Sequence, residues 1–460
     1  MKKATASDLI GVATLQPNGG MPVARAQFIG IRETLTSFLP GALLERLARE
    51  SGMMQRRRKV DPLALLWTLA LGFSTGGERT LAGLRRVYQR VTGTSLVPSA
   101  FYDRFTPALV RFLRCVVGEV AKRLAEHEPA HGGLLSKFAD VVVADATVIK
   151  LHRWLAGRYR GCRTNSSPAA AKLHLVMSVR GQGLDRVKLT GERAKDHRSL
   201  RMGPWVCGRL LLVDLGFFRH QLFDCIDRNG GYFLTRLHAN ANPRIVALHR
   251  RWRGRAVALE GQRLADVAGS LKRAVLDVEV EVAFKRRVYA GQQHTDRRRF
   301  RLVGVRDPDS GSYWFYLTNI PTDVLDAESL AQVYACRWQV ERVFKELKSH
   351  YRLDQLATRK AHIVEALIWS SILTLLVSRR LLDTVRRRLR RQGHRVREGR
   401  WAALFAAVAH SIIDLILLPK RTAKALARRL EPMLLHEALD PNRSRLLLLE
   451  RVDRGVAWAA

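Results

Sequence analysis

The stretch VVVADATVI, residues 141–149, carries one carboxylate, Asp145, inside a run of β-branched and small apolar residues. Valine, isoleucine and threonine are enriched in strands, so the run predicts a β-strand of the core. The strand would aim the side chain of Asp145 at one fixed place in the fold. This setting makes Asp145 the first candidate for a functional residue.

Two further acidic residues stand in settings that can aim a carboxylate at the same place. Asp214 ends a second apolar run, residues 210–213, just before Gly216. Glu341 lies in an amphipathic segment, residues 327–351, which predicts one long helix. Carboxylate oxygens are the ligands that hard divalent cations prefer. The three acids together therefore suggest divalent-metal chemistry.

The charge of the chain points to a polyanionic partner. Of the 460 residues, 79 are Lys or Arg and 41 are Asp or Glu, so the formal net charge is +38 at pH 7. Such a surface attracts phosphate backbones through counterion release. A ribosome-associated or membrane-surface protein is the alternative, but the basic residues occur throughout the chain and not in a tail. Nucleic acid is therefore the expected partner, and phosphodiester cleavage is the natural reaction for the three acids.

The remaining composition indicates a protein of the cytoplasm. The five cysteines are widely spaced and form no C-x-x-C pair, which argues against a zinc site and a disulfide framework. Residues 1–21 lack a continuous apolar core, so no signal peptide is expected and this start is predicted to be disordered. The apolar runs 363–377 and 401–418 fall short of the about 20 apolar residues that span a bilayer, or contain charged residues. They are predicted to be buried core helices, and no membrane association is expected.

Four zones follow one another along the chain. Residues 22–135 show helical spacing of apolar residues and are predicted to form a DNA-binding region. Residues 136–355 predict an α/β catalytic domain, because three meandering strands are followed by helix, strand, helix and strand, which describes a mixed sheet with helices on its faces. Within it, residues 241–312 are a β-rich insertion. Residues 356–460 are a basic helical region.

Three basic features could each contact DNA, but each also has a purely structural explanation. A helix, a glycine-containing turn and a second helix around Tyr102 either contact DNA or are simply packed helices. The basic cluster 297–299 either faces DNA or protects an edge of the sheet by its charge. The arginine-rich residues 379–400 suit phosphate contacts, although a charge run is usually a solvated face.

The segment around Glu341 has the sharpest local pattern. At about 100° per residue, five residues separated by 3, 4, 4 and 3 positions fall on one stripe of a helix: Tyr334, Arg337, Glu341, Lys345 and Lys348. A separate apolar stripe can pack on the sheet: Val333, Cys336, Val340, Phe344 and Leu347. The plain alternative is that Glu341 and Lys345 form an exposed ion pair worth a few tenths of a kcal/mol. A simple ion pair is the less favoured interpretation, because an aromatic residue, three cations and one acid share the stripe. In addition, two aspartates at strand ends precede it in the sequence.

This stripe resembles a known signature. Tyr334-x2-Arg337-x3-Glu341-x6-Lys348 resembles the YREK signature of DDE insertion-sequence transposases of the IS4 type, a cut-and-paste group. The strand around Asp145 resembles the first aspartate motif of that family, and residues 213–236 resemble the second. Residue 146 is alanine where a small polar residue or glycine is commoner, which leaves the carboxylate in place. The similarity covers residues 136–355.

The resemblance implies an RNase H-like catalytic core with the β-rich insertion before the last catalytic helix. Asp145, Asp214 and Glu341 would be the catalytic residues and would hold two Mg²⁺ ions, which Mn²⁺ can replace, with Asp145 shared between the ions. A pair of such ions activates the nucleophile and stabilises the leaving oxygen of phosphoryl transfer. Phosphates near the cleaved end would be held by the other residues of the stripe: Tyr334, Arg337, Lys345 and Lys348.

Two further residues match DNA contacts of the family. Trp314 lies where the family has a tryptophan on which a flipped base stacks when a DNA hairpin forms at the element end. A core tryptophan is the alternative. Arg236 likewise matches a DNA contact of the family.

The function that follows is DNA transposition by cut-and-paste through a hairpin intermediate. The implied partners are double-stranded DNA, both as the terminal repeats of the element and as the target, and a second copy of the chain in the DNA complex. The expected location is the bacterial cytoplasm, in association with the nucleoid. One alternative is an RNase H-like nuclease or resolvase, and another is a catalytically silent DNA-binding derivative.

Overall fold

The computed structural model describes residues 30–56, 60–73, 75, 80–125, 133–163, 166–180, 183–250, 258–286, 291–442 and 448–453. The start predicted to be disordered, residues 1–21, lies outside them. The strands are β1 (Asp140–Lys150), β2 (Arg160–Arg163), β3 (Ser167–Ser178), β4 (Leu184–Gly191), β5 (Arg209–Val213), β6 (Tyr232–Arg236), β7 (Arg244–Leu248), β8 (Val275–Lys285), β9 (Thr295–Arg306) and β10 (Tyr313–Thr318).

Helices surround these strands. They are α1 (Ile31–Phe38), α2 (Gly41–Glu50), α3 (Pro62–Trp67), α4 (Leu81–Thr92), α5 (Pro98–Tyr102), α6 (Pro107–Ala125), α7 (Asp196–Ser199), α8 (His220–Arg228), α9 (Leu264–Ala268), α10 (Ala327–Ala335), α11 (Trp338–Ser349), α12 (Ala361–Arg391), α13 (Glu398–Leu417), α14 (Lys420–Ala438) and α15 (Leu448–Asp453). A π-helical segment, Thr68–Phe73, continues α3.

The first part of the sheet has the predicted RNase H-like arrangement. Strands β1, β3 and β4 form an antiparallel meander, and β5 and β6 lie parallel to β1 on its other side. Alternate residues of β1 enter different apolar clusters: Val141 and Val143 face one side of the sheet, and Val142 and Ala144 face the other. A strand covered on both faces needs apolar residues at successive positions, which explains the continuous run in the sequence. The predicted fold class is confirmed. The short β2, which pairs with β3, was not predicted.

The β-rich insertion continues the same sheet. Strand β10 pairs antiparallel with β6, and β9, β8 and β7 follow in that order. In β8, Val278, Val280 and Val282 are buried, and Glu279 and Glu281 between them are partly exposed, as the alternation in the sequence predicts. An open edge of β6 would leave backbone groups unpaired. Strand β10, which follows the insertion, thus completes the hydrogen bonding of β6, and the insertion strands β7, β8 and β9 extend the sheet beyond β10.

Helices cover both faces of this sheet. Helix α11 packs on β1, and the 31-residue α12 packs against α6 and the π-helical segment. On the other face, α8 packs on β6 and β8. By length and composition α12 and α13 could each cross a membrane, but 83% of the most apolar stretch of α12 is buried inside the fold, against 50% for that of α13. The burial of α12 agrees with the core helix predicted for residues 363–377.

The prediction of one helix over residues 327–351 is wrong at one point. Helix α10 ends at Ala335 and α11 begins at Trp338. Cys336 and Arg337 keep helical dihedral angles, but their N–H groups donate to carbonyls three residues earlier, at 3.0 Å each. Such a turn holds three residues instead of 3.6, so it rotates the side chains before it relative to those after it. Tyr334 therefore does not share a straight stripe with the residues of α11.

Candidate active site

Two of the predicted acids occupy equivalent positions on neighbouring parallel strands. The pairing of β1 with β5 ends at Ala144 and Val213, so Asp145 and Asp214 are the next residue of each strand. Two residues earlier, the paired Val143 and Leu212 lie in the apolar cluster under α11. Because side chains alternate along a strand, the two aspartates share that face, on strands about 4.8 Å apart.

Helix α11 brings the third acid to the same face. Glu341 lies in the first turn of α11, which packs on β1. The guanidinium of Arg337 joins it to the strands: Nη2 is 2.9 Å from Oε1 of Glu341, and Nη1 is 4.0 Å from Oδ2 of Asp145. The Arg337 side chain is only 11% exposed. The structure thus gathers Asp145 and Glu341 around one arginine, with Asp214 on the adjacent strand.

The electrostatics of this cluster favour a bound cation. Burial raises the pKa of Asp145 to about 6, and the charges of Asp214 and Glu341 contribute to the rise. A hydrogen bond of 2.7 Å from the N–H of Ala146 and the charge of Arg337 act in the opposite direction. For Arg337 itself burial would lower the pKa, but nearby groups including Asp214 and Glu341 raise it above its usual value. Burial therefore disfavours the charged form of Asp145, and a cation bound beside it would offset this cost.

The donor set fits a hard divalent cation, although its geometry is not that of a closed metal cage. In the part of the chain that the structure describes, no three His, Cys, Asp or Glu side chains are grouped closely enough to hold a metal ion. Carboxylate oxygens are nevertheless the ligands that Mg²⁺ takes in proteins, usually one or two with waters and phosphates completing the shell. Arg337 supplies positive charge among these oxygens.

Tyr334 lies below the site and not at its surface. Its side chain is 7% exposed, its ring packs against Tyr316 at 5.3 Å, and its hydroxyl donates to the carbonyl oxygen of Val213 at 3.4 Å. Burial raises its pKa to about 12. The tyrosine therefore supports the strand end that carries Asp214. The DNA contact predicted for Tyr334 stays a prediction.

The two lysines of the predicted stripe lie further along α11. Lys345 is exposed and Lys348 is partly exposed, one and two turns beyond Glu341. At these positions their ammonium groups extend the positive charge of Arg337 along the helix. Their predicted phosphate contacts stay predictions.

Trp314 and Arg236 form a pair at the surface. Trp314 is 43% exposed, so the alternative of a core tryptophan does not hold. The guanidinium carbon of Arg236 lies 4.1 Å from the centre of its indole ring. The two strands explain the pairing, because Arg236 ends β6 and is opposite Tyr316 of β10. Base stacking by Trp314 remains a prediction.

The basic cluster of the insertion divides into two sets. Asp224 of α8 is buried and accepts hydrogen bonds from Arg228, Arg286 and Arg298 at 3.1, 2.9 and 2.5 Å. Burial would raise the pKa of Asp224, but these arginines hold it below its usual value. Arg297 and Arg299 instead face outward, near Glu281 and Glu279 at 3.4 and 3.9 Å. Arg286 and Arg298 therefore attach the hairpin of β8 and β9 to α8. For the outward-facing Arg297 and Arg299, both predicted roles, contact with DNA and protection of a sheet edge, stay open.

Sequence reasoning missed two exposed tryptophans. Trp338 is 60% exposed, and the guanidinium of Arg337 lies 5.4 Å from its ring. The sequence did contain a signal for its exposure, because Trp338 belongs to neither the charged stripe nor the apolar stripe of this helical segment. Trp154, in the turn after β1, is also exposed. Trp154 follows the apolar run of β1, with arginines on either side in the sequence. Only its exposure in the folded protein shows that it is not a core residue.

Comparison with known proteins identifies the family. Residues 136–377, more than half of the chain, match the sequence model of the transposase DDE domain. The chain belongs to this family, and the predicted membership of the DDE insertion-sequence transposases is confirmed.

Relatives of this family extend the match. The transposase for insertion sequence element IS231F of Bacillus thuringiensis subsp. israelensis is 24% identical over 379 residues, which cover 75% of this chain and 78% of the relative. The transposase for IS1151 of Clostridium perfringens is 19% identical over 379 residues, covering 74% and 78%. Among solved structures, a piggyBac transposase synaptic complex with hairpin DNA covers 90% of this chain and 87% of its own, at 10% identity and a TM-score of 0.44.

Proposed function

We propose that this transposase cuts DNA at the ends of its insertion sequence and joins the freed ends to target DNA, in a reaction that depends on divalent metal ions. The observation that carries the proposal is the convergence of Asp145, Asp214 and Glu341 from two parallel strands and one helix. A strongly basic chain gains nothing for DNA binding from three acids on one surface. Their placement favours catalysis over the alternative of a silent DNA-binding derivative.

Asp145, Asp214 and Glu341 would hold two Mg²⁺ ions, for which Mn²⁺ can substitute. When bound, such ions activate the attacking oxygen and stabilise the leaving one. Asp145 lies between the other two acids, since it neighbours Asp214 across the sheet and reaches Glu341 through Arg337. It is the residue that both ions would share. Its raised pKa is consistent with a carboxylate that needs a cation.

The reaction proceeds by cut-and-paste. Water attacks the phosphorus at the element end, the bond to the 3′-oxygen breaks, and a free 3′-hydroxyl and a 5′-phosphate result. That hydroxyl then attacks a phosphorus of the opposite strand, the bond from this phosphorus to the 3′-oxygen of the flanking DNA breaks, and the element end closes as a hairpin. A second hydrolysis opens the hairpin and restores the 3′-hydroxyl. The same 3′-hydroxyl finally attacks a phosphorus of target DNA, and the target loses its own 3′-oxygen as the leaving group.

Residues around the acids would hold the DNA during these steps. Arg337 has a planar fork that binds phosphate through two hydrogen bonds, and Lys345 and Lys348 act as point charges. Trp314 with Arg236 offers an aromatic platform for the base that is flipped when the hairpin forms. Tyr334 would act through the strand end that it supports.

The partners follow from charge and burial. A net charge of +38 suits double-stranded DNA, which serves both as terminal repeat and as target. Within the DNA complex the protein would work as a homodimer. Because α12 is largely buried inside the fold, we propose that the protein does not enter a membrane. The bacterial cytoplasm, in association with the nucleoid, is the proposed location.

The test is end cleavage by Asp145→Asn. The DNA that flanks the reading frame supplies the substrate, because inverted repeats are expected there. The variant should bind these ends as the unchanged protein does and fail to cut them in Mg²⁺ or Mn²⁺. Asp140→Asn is the matched control, since Asp140 lies at the start of the same strand, is partly buried, and accepts a hydrogen bond from Ser178 at 3.1 Å.

The control should retain cleavage, and cleavage by Asp145→Asn would remove the assignment. Joining of cut ends to a target plasmid is measured in the same reaction. Cleavage without joining would indicate a nuclease or resolvase instead.

A further inference from the structure

A third exposed tryptophan lies outside the site described above. Trp154 belongs to the turn that follows β1, and it is 67% exposed, more than Trp314 or Trp338. The guanidinium carbon of Arg359 lies 4.8 Å from the centre of its ring. Arg359 precedes α12 and is itself exposed. The indole therefore has a cation on one side and most of its surface in water.

The turn that carries Trp154 is anchored on the fold. Arg158 forms an ion pair of 2.7 Å with Glu365 of α12, and the hydroxyl of Tyr159 donates to the same carboxylate at 2.5 Å. Leu155, next to the tryptophan, is buried. An anchored indole loses little conformational entropy when a ligand stacks on it. The arrangement is that of a rigid platform.

The surroundings of the platform are basic and contain little apolar surface. Residues 151–160 and 355–360 carry five cations, Arg153, Arg158, Arg160, Arg359 and Lys360, against Asp354 directly before the second segment and Glu365, which pairs with Arg158. The neighbouring leucines, Leu151, Leu155 and Leu356, are buried. A protein interface would bury a contiguous apolar centre, which this surface does not offer. An aromatic ring among cations instead matches the stacking sites of single-stranded nucleic acid.

The position of the platform in the chain relates it to the acids. The turn follows the strand that carries Asp145, and residues 350–360 connect α11, which carries Glu341, to α12. The platform lies where these two segments meet.

We propose that Trp154 and Arg359 form a stacking site for an unpaired base of DNA, with Arg153 at the neighbouring phosphate. The site rests on the proposed DNA function and adds a ligand class to it: a single-stranded extension, either at the end of the element or in opened target DNA. The base would stack on the indole, and Arg359 would hold the ring from the other side. No chemical step occurs at this site.

The test compares the affinity for a blunt duplex with that for the same duplex carrying a single-stranded extension, by fluorescence anisotropy without divalent ions. Trp154→Ala should lose about tenfold in affinity for the extended duplex and little for the blunt one, since one stacked base contributes about that much. Trp154→Phe should keep most of the preference. Arg153→Ala should weaken binding of the extension and lower its salt dependence by about one phosphate contact.

Trp205→Ala is the matched control. Trp205 also lies under an arginine, with Arg186 at 4.3 Å, but it precedes β5 at the opposite end of the sheet from Asp214. It should bind both duplexes as the unchanged protein does. Equal affinity of Trp154→Ala and the unchanged protein for the extended duplex would overturn the proposal, as would a change in oligomeric mass that accompanies the loss.

The sequence of the extension distinguishes its two possible sources, the element end and opened target DNA. Extensions that copy the element end and extensions of random sequence are compared, and a preference for either assigns the site to the element or to the target. A failure of the proposed function looks different, because the protein would then bind neither duplex or would cut no element end in Mn²⁺.

Discussion

Asp145 and Asp214 stand at equivalent positions on two adjacent parallel strands, each directly after the last register pair, Ala144 and Val213. Parallel strands run in the same direction, so residues that follow paired positions stay neighbours. The pair thereby brings two acids together that are 69 positions apart in the sequence. Helix α11, which packs on β1, then adds Glu341 from the same face of the sheet.

The acids are expected to act as one unit. Asp214→Asn and Glu341→Gln should each lower Mn²⁺-dependent end cleavage by more than about 100-fold, because even residues that only orient metal ligands contribute 10- to 100-fold. Cleavage rates of purified variants on labelled element ends give the measurement, with DNA binding measured in parallel. A variant that cuts within tenfold of the unchanged protein would exclude its residue from the site.

Arg337 is expected to compete with metal ions for the acids. Its guanidinium is 2.9 Å from Glu341 and 4.0 Å from Asp145, where it offsets their charge. Arg337→Ala should therefore bind Mn²⁺ about tenfold more tightly in the absence of DNA, a change of about 1.4 kcal/mol. Calorimetric titration measures this affinity, and end cleavage by the same variant should fall because a phosphate ligand is lost.

Arg342→Ala is the control for this experiment. Arg342 is exposed and lies next to Glu341 in α11. Its removal also takes one positive charge from the helix, so an equal gain in Mn²⁺ affinity would show a general charge effect. Weaker binding of Mn²⁺ by Arg337→Ala would mean that the arginine holds the acids in place for the metal.

His174 is expected to make the fold sensitive to acid. It is buried on β3 opposite Ala146, and its ring nitrogens are hydrogen bonded to Thr190 and Ser199 at 2.9 Å each. Burial lowers its pKa from 6.5 to about 4. Between these values the unfolded chain binds a proton that the folded protein does not. The stability that is present above pH 6.5 should therefore be lost as the pH falls to about 4, by up to about 3 kcal/mol.

Urea unfolding at several pH values measures this loss. His174→Gln should flatten the pH dependence in that window, because glutamine has no proton to gain. The same substitution at exposed His249 controls for the loss of an imidazole. An unchanged slope for His174→Gln would assign the acid sensitivity to other groups.

The buried carboxylate of Asp224 is expected to hold the insertion on the catalytic core. Arg286 and Arg298 of the hairpin β8–β9 bind it from one side, and Arg228 of its own helix from the other. Asp224→Ala would leave these charges without their partner, at a cost on the order of 3 kcal/mol in the free energy of unfolding. Glu281→Gln, which removes an outer partner of Arg297, should cost less than about 1 kcal/mol.

Chemical unfolding of both variants tests this difference. A cost for Asp224→Ala no larger than that for Glu281→Gln would show that the hairpin is held by its strand pairing alone. End cleavage should change little in Glu281→Gln, since Glu281 lies on the insertion and not among the acids.

Much of the fold could be predicted because its signals are local. The β-branched run around Asp145, the run before Asp214 and the alternation in residues 278–282 each record how a strand is buried, and burial pattern follows from neighbouring residues in sequence. The order of Asp145, Asp214 and Glu341, and the spacing of the residues around Glu341 on a predicted helix, could also be recognised in the sequence. These features led to the family and to the RNase H-like sheet.

Other features depend on contacts between distant segments. The turn at Cys336 and Arg337 tightens, and Tyr334 enters the interior against Val213 and Tyr316, because α10 and α11 each pack on a different part of the sheet. Sequence spacing assumes a straight helix and cannot show this. The position of Arg337 between Glu341 and Asp145, and that of Arg359 on Trp154, likewise join segments far apart in the chain.

From its residues alone, then, the chain reveals which acids and cations are available and on which kind of element each lies. Their distances, and which cation neutralises which acid, arise only when the sheet closes, because burial and charge pairing are properties of the packed chain. The net charge of +38 indicates DNA from the sequence alone, whereas only the folded protein shows that Arg337 lies between Asp145 and Glu341 and that Arg359 lies on the exposed indole of Trp154.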